Sequence, residues 1–157
     1  MPQYREATLE DLSAICTLGD AVNMIHHEAI PHIFAATGEP NRDMEYWRGY
    51  VGGDTATTFV ACLEGLPIAF ATVSVNKDVN PMLQPLRYAR IGTVSVAERF
   101  RGQGIGRKLM ALSEDWSRRR DAFEMRIHVW SFNARALTLY EELGYAERSL
   151  NLGKLLS

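Results

Sequence analysis

The spacing of apolar residues in the first part of the chain is helical. Between residues 9 and 18, apolar side chains recur every three or four positions, which is typical of a helix with one buried face. Thr8, followed three residues later by Asp11, has the spacing of a capping box and predicts the start of this helix, after a short strand over residues 3–7. Two prolines and a glycine between residues 31 and 40 interrupt the pattern. We therefore expect two or three short helices before residue 51.

From residue 57 onward the pattern alternates, as it does in strands. Two β-rich runs joined by the short turn EGLP predict a hairpin. Asn133 and Gly144 mark the start and the end of a helix, because asparagine is favoured at N-caps and glycine at helix stops. The order of elements predicts an α/β protein with a mixed sheet and helices on both faces. The predicted elements are strands over residues 57–63, 68–75 and 88–96, a helix over 105–119, a strand over 123–130, a helix over 133–144 and a strand over 145–152.

Composition and charge narrow the class of protein. With 157 residues, 46% of them hydrophobic and 23% charged, the chain has the values of a single globular domain over residues 1–157. Its apolar runs are too short to span a membrane and its first residues lack the pattern of a signal peptide, so we expect a cytoplasmic protein without a membrane partner. The formal net charge of -2 argues against nucleic acid as the main partner.

Two groups of potential metal ligands lack metal-binding spacing. Cys16 and Cys62 lie far apart in the chain, so we expect buried, reduced thiols. The segment HHEAIPH over residues 26–32 contains the pair HE, but the zinc pattern HExxH requires a histidine where the chain has Pro31. We expect no metal, and we interpret these histidines as surface side chains or as contacts of a substrate.

The segment RFRGQGIGRKL, residues 99–109, carries the strongest chemical signal. Three glycines at alternate positions follow a predicted strand and open a predicted helix. Such a turn gathers backbone N–H groups and the positive end of a helix around one point, which predicts a phosphate site; a glycine turn without a ligand is the alternative. A P-loop is disfavoured because Lys108 is followed by Leu109 instead of Ser or Thr. Leu109 also stands where the dinucleotide pattern GxGxxG has its third glycine.

The same segment resembles the GCN5-related N-acetyltransferase family through the pattern Arg-x-x-Gly-x-Gly over residues 101–106, preceded by the strand VSV. In that family a second motif follows, with an asparagine after a strand, a tyrosine seven residues on and a Gly-aromatic pair at the helix end. With the hairpin, the resemblance covers roughly residues 57–150. It implies a mixed, mainly antiparallel sheet of six or seven strands with a splayed central strand pair. The residues of the second motif are Asn133, Tyr140, Gly144 and Tyr145.

The resemblance implies acetyl-CoA as the co-substrate. Amides of residues 101–106 would hold its pyrophosphate, and its pantetheine arm would lie between splayed strand segments 91–96 and 125–130. Asn133 would contact this arm while capping its helix. Tyr140 would protonate the leaving thiolate, although periodicity alone also fits a core aromatic. The implied coenzyme-binding residues are Val94, Ser95, Val96, Arg101, Gly102, Gln103, Gly104, Ile105, Gly106, Asn133 and Tyr140.

The general base is the point at which the chain departs from the family. Many relatives carry a glutamate on the strand of the first motif, at the position that Gly92 occupies here. A loop residue or water would have to take the amine proton. Glu28 ranks first, because the segment before the hairpin usually forms the acceptor wall in this family. The other candidates are His26, His27, His32 and Asp78.

The sequence therefore predicts an enzyme that acetylates a primary amine of a small molecule or peptide. The alternative is a catalytically silent acyl-CoA-binding sensor, which the missing glutamate favours and the retained Tyr140 opposes. A third hypothesis, an adaptor that binds through the basic run at residues 118–120, is weaker because such runs are usually solvated helix surface. The family resemblance also suggests a homodimer. Acceptor specificity is expected to depend on residues 22–56 and on the loop over residues 76–88.

Overall fold

A computed structural model describes all residues, 1–157. The chain forms five strands and four helices, and short 3-10 turns at Leu9–Asp11 and Glu98–Phe100 precede two of the elements. In chain order the elements are β1 (Gln3–Glu6), α1 (Leu12–Ala29), α2 (Met44–Arg48), β2 (Ala56–Leu63), β3 (Leu66–Lys77), β4 (Arg87–Val96), α3 (Ile105–Arg118), β5 (Glu124–Ile127) and α4 (Ala134–Glu142).

The five strands lie in one sheet in the order β1-β2-β3-β4-β5. All neighbours are antiparallel except β4 and β5, which are parallel. The expectation of six or seven strands was wrong, because residues 145–152 form no strand and β5 ends at Ile127. The alternating pattern of that C-terminal segment has no buried face, since Leu150 and Leu152 are 71% and 87% exposed.

The sheet separates two cores, so the predicted helices on both faces are confirmed. On β2, Phe59 and Ala61 belong to the core covered by α3, whereas Val60 and Cys62 belong to the core covered by α1 and α2. Cys16 of α1 lies in this second core, and both cysteines are buried, as predicted. Burial raises the pKa of both thiols.

The N-terminal helix starts with the predicted capping box. The Thr8 N–H donates to Asp11 Oδ2 at 2.8 Å, and Arg5 donates to both carboxylate oxygens of Asp11 at 2.7 and 2.9 Å. The Arg5 guanidinium lowers the pKa of Asp11. The first turn is 3-10, so α1 begins at Leu12 and extends for 18 residues. None of the helices combines the length and the apolar character that crossing a membrane requires.

Candidate active site

A gap opens in the sheet between β4 and β5. The two strands pair in register from Tyr88 with Glu124 to Ile91 with Ile127, where β5 ends. Strand β4 continues to Val96 and remains paired with β3 along its other edge. The edge of β4 that faces β5 therefore has no strand partner beyond Ile91. The expected splay of residues 91–96 from 125–130 was wrong in its bounds, because residues 125–127 remain paired with residues 89–91 and β5 ends there.

A β-bulge lies where the gap begins. Gly92 and Thr93 on β4 together oppose Thr72 on β3, and the Thr93 N–H donates to Thr72 Oγ1 at 2.9 Å. A Cβ atom at position 92 would lie 2.6 Å from that same oxygen. Packing therefore favours glycine here, which accounts physically for the missing strand carboxylate.

The glycine loop joins the end of β4 to the start of α3. Gly102 and Gly104 adopt left-handed backbone with φ of +76° and +79°, a conformation that side chains disfavour. A Cβ atom at either position would meet nothing within 4 Å, so both glycines border open space. Gly104 is the N-cap of the 14-residue helix α3 and supplies no side-chain cap. Arg101 Nε donates to the Val96 carbonyl at 3.0 Å, which ties the loop to the strand.

A cavity of about 480 Å³, here called the loop cavity, lies over this loop, the open edge of β4 and α4. All but one of the predicted coenzyme-binding residues line it; the exception is Gln103, which is exposed. Ser95 is buried, and its hydroxyl donates to the Leu18 carbonyl at 2.9 Å, so its side chain links β4 to α1. The predicted lining residues are Val94, Ser95, Val96, Arg101, Gly102, Gly104, Ile105, Gly106, Asn133 and Tyr140.

A second cavity of about 490 Å³, here called the aromatic cavity, lies on the other side of the gap. Its wall includes Trp47, which is also packed in the α1-side core, and the bulge residues Gly92 and Thr93. Six residues line both cavities, so the two spaces meet at the gap. The shared residues are Val22, His26, Val94, Asn133, Ala136 and Tyr140.

The second sequence motif positions Tyr140 at this junction. Asn133 caps α4 as predicted, with its Oδ1 accepting from the Ala136 N–H at 3.2 Å. The helix ends in a Schellman motif: Gly144 has φ of +92°, and the Tyr145 N–H donates to the Tyr140 carbonyl at 2.9 Å. This turn brings the two tyrosine rings to a centroid distance of 5.9 Å. Burial raises the pKa of Tyr140, which keeps its phenol protonated.

His26 is the other titratable residue at the junction. Its Nδ1 lies 2.8 Å from the Val22 carbonyl. A carbonyl can only accept, so Nδ1 carries a hydrogen and the neutral ring has its free lone pair on Nε2. The ring contacts Phe34 and Phe132 at centroid distances of 4.8 and 5.3 Å.

The other base candidates lie away from the junction. Glu28 is exposed and lines neither cavity, and the same is true of His32. His27 Nδ1 bonds to the Phe34 carbonyl at 2.6 Å, and Asp78 forms an ion pair with Arg126 at 2.9 Å. No group of three or more His, Cys, Asp or Glu side chains is arranged to hold a metal ion.

Sequence reasoning did not single out most of the aromatic cavity. Phe34 and Asp43 come from the irregular stretch between α1 and α2, and His128, Val129 and Trp130 follow β5. Only their joint position shows that they share a wall. The helical spacing of Tyr46, Trp47 and Tyr50 was one available signal: it favours a core position, which Trp47 occupies, and it also fits a pocket wall, which Tyr46 and Trp47 line.

Comparison with known proteins agrees with this geometry. The chain is 30% identical over 74 residues to an uncharacterized N-acetyltransferase of Bacillus subtilis, YdgE, a match that covers 47% of each chain. It is 39% identical over 56 residues to streptothricin acetyltransferase of Streptomyces lavendulae, covering 36% of this chain and 30% of that protein. The matched stretches thus span less than half the length of either curated relative.

Solved structures share the fold over nearly the whole chain. A mutant of the BH1408 protein of Bacillus halodurans superposes with a TM-score of 0.91 at 24% identity, covering 99% of both chains. The aminoglycoside N-acetyltransferase AAC(6')-Iy in complex with CoA superposes with a TM-score of 0.75 at 18% identity, covering 99% of this chain and 95% of that one. Residues 22–145 match the acetyltransferase (GNAT) family. The chain therefore belongs to the GNAT acetyltransferases.

Proposed function

We propose that the protein transfers the acetyl group of acetyl-CoA to a primary amine of a small molecule or peptide. The observation that carries the proposal is the continuity of three features: the glycine loop at the start of α3, the open edge of β4, and the junction between the two cavities. The CoA complex of AAC(6')-Iy supports the choice of coenzyme, since that protein has the same fold.

The glycine loop suits the diphosphate of the coenzyme. The first-turn N–H groups of α3 have no partner within the helix and lie at its positive end. Gly102 and Gly104 keep side chains out of the space in front of these groups, so an anion can approach the backbone. Arg101 and Arg107 add positive charge to the wall, although Arg107 is also paired with Glu142.

The open edge of β4 suits an extended, amide-containing arm. Such an arm bonds to free backbone groups of a strand in the way that another strand would. Val94 and Val96 line the loop cavity along this edge, and Asn133 lines it from α4. The arm would thus lead from the glycine loop to the junction.

When bound, the coenzyme supplies an acetyl group activated as a thioester. A backbone N–H on the open side of β4 donates to the carbonyl oxygen as negative charge develops there. Tyr140 gives its proton to the departing sulfur. At ordinary pKa values of about 10 for tyrosine and about 8.5 for a thiol, this transfer costs about 2 kcal/mol, and the raised pKa of Tyr140 adds to that cost.

His26 takes the proton of the attacking amine in this proposal, in place of Glu28. Histidine is the side chain that exchanges a proton most readily near neutral pH. His26 lines both cavities, whereas Glu28 lines neither. The Nδ1–H bond to Val22 leaves Nε2 to accept the proton, and the same bond persists in the imidazolium ion.

Calorimetry with acetyl-CoA tests the coenzyme site. Gly104→Glu places a side chain and a negative charge in front of the helix start, and we expect it to weaken binding by roughly 100-fold or more, about 2.7 kcal/mol. Gly65→Glu is the matched control, because Gly65 has a similar φ of +82° but lies in the β2–β3 turn. Equal affinity of the two variants would refute the anion site.

A silent acyl-CoA sensor remains the second candidate, favoured by Gly92 at the position where many relatives have glutamate. Such a protein would bind acetyl-CoA, and Gly104→Glu would weaken this binding just as in an enzyme. It would release no thiol in the presence of any amine. Thiol release that depends on both acetyl-CoA and an amine would exclude it.

A further inference from the structure

We infer that the aromatic cavity accepts an amine that carries a single positive charge and an aromatic or other flat apolar body. The inference rests on the proposed function and names its substrate class. It sets this chain apart from its structural neighbours that acetylate aminoglycosides, which carry several ammonium groups.

Aromatic rings form two walls of the cavity. On one side, the rings of His26, Phe34 and Trp130 are in sequential contact, with centroid distances of 4.8 Å and 5.1 Å. On the other side, Tyr46 and Trp47 meet edge to face at 4.9 Å. Flat side chains bind flat apolar groups through large contact areas and stacking. The cavity thus provides contact surface for a flat apolar ring.

The charges lining the cavity do not suit a polycation. Asp43 is the only carboxylate in the wall, and it already accepts from Arg42 Nε at 3.0 Å. The only carboxylate of the loop cavity, Glu142, is paired with Arg107. A ligand with several ammonium groups would therefore lose water around each charge and meet a single carboxylate in this wall, Asp43, which Arg42 already pairs with.

A single charge requires no carboxylate, because the reacting amine has to be neutral before it attacks. The nitrogen of a monoamine loses its proton before reaction, and His26, which lies at the junction, is the proposed acceptor of that proton. The wall therefore fits the neutral form of a monoamine with an apolar body.

A panel of three amines tests the inference with the intact protein. We would measure kcat/KM from thiol release with acetyl-CoA, using 2-phenylethylamine, hexylamine and the aminoglycoside kanamycin. Binding of each amine to the protein saturated with free CoA would be measured in parallel by calorimetry. We expect kcat/KM for phenylethylamine to exceed that for hexylamine by about tenfold, with kanamycin the poorest of the three.

Two variants separate the cavity wall from general hydrophobicity. Trp130→Leu keeps an apolar side chain but removes the ring, so we expect about a tenfold loss of kcat/KM for phenylethylamine, less than a threefold loss for hexylamine, and unchanged affinity for CoA. Phe123→Leu is the matched control, because Phe123 is 78% exposed and lines neither cavity. Thermal unfolding of both variants shows whether they fold.

The outcomes are distinct for the two proposals. A higher kcat/KM for kanamycin than for phenylethylamine would overturn the substrate class, as would failure of the CoA-saturated protein to bind phenylethylamine. Binding of phenylethylamine without thiol release would support the cavity but overturn acetyl transfer. If CoA itself does not bind, the proposed function fails, and calorimetry of the amines with the free protein still tests the aromatic cavity.

Discussion

The two cavities that meet at the gap are built by different means. The loop cavity depends on backbone: two left-handed glycines, the start of α3 and the unpaired edge of β4. The aromatic cavity depends on side chains from α1, α2, the stretch between them, and the segment after β5. A site made of backbone groups can keep binding the same ligand when side chains are substituted, whereas a pocket lined by side chains changes its shape and chemistry with each substitution. We expect variants on the two sides to fail in different ways.

The largest expected effect is on chemistry at the junction, with binding on the loop side preserved. Tyr140→Phe removes the proposed acid, and we expect kcat to fall by roughly 100-fold or more with little change in acetyl-CoA affinity. Tyr145→Phe is the control, since it keeps the ring and removes a buried hydroxyl that has no partner. Steady-state kinetics and calorimetry measure the two quantities. Unchanged turnover in Tyr140→Phe would remove this residue as the acid.

A smaller effect is expected for the base. His26→Gln should lower kcat/KM by about 10- to 100-fold near pH 7, because no side chain at the junction then takes the amine proton. The deficit should shrink as pH rises, since solution then supplies more neutral amine. The control is His27→Gln, which lies next in the chain but outside both cavities. A deficit that is the same at every pH would indicate a structural role for His26.

The two cavities also differ in how far the sequence predicts them. Glycine spacing, a helix start and the Asn133-to-Gly144 interval are local patterns, and together with the family resemblance they indicated ten of the twenty residues that line the loop cavity. The aromatic cavity combines His26, Trp47 and Trp130, whose joint position depends on how α1, α2 and β5 pack. No local period encodes that packing, so the sequence alone offers no way to see that His26 lines both cavities and Glu28 neither. The strand expected after Gly144 failed for a similar reason, because alternation predicts a strand only where a face is buried.

The β-bulge at Gly92, where the gap between β4 and β5 begins, can be tested through the stability of the fold. Gly92→Ala would place a Cβ 2.6 Å from Thr72 Oγ1 and displace the hydroxyl from the Thr93 N–H. We expect a loss of about 1–3 kcal/mol in the free energy of unfolding. Thr72→Ala removes both the bond and the clash, so the double variant should be more stable than the sum of the two single effects predicts. Denaturant unfolding of all four proteins measures this; strict additivity would contradict the proposed clash.

The smallest expected effect concerns the start of β5, the strand whose following residues line the aromatic cavity. Glu124 on β5 accepts hydrogen bonds from Arg148 and Arg126. These guanidinium groups lower the pKa of Glu124 from 4.5 to about 2, and the bond from Arg148 makes the largest contribution. A carboxyl whose pKa is lower in the folded state stabilises the fold above its unfolded value, and this contribution is lost as pH falls from about 4.5 towards 2. The unfolding temperature of Glu124→Gln should therefore fall less between pH 6 and pH 3 than that of the parent. Glu147→Gln, in the exposed C-terminal segment, should behave like the parent; equal shifts in all three proteins would mean that the Glu124 ion pairs do not hold β5.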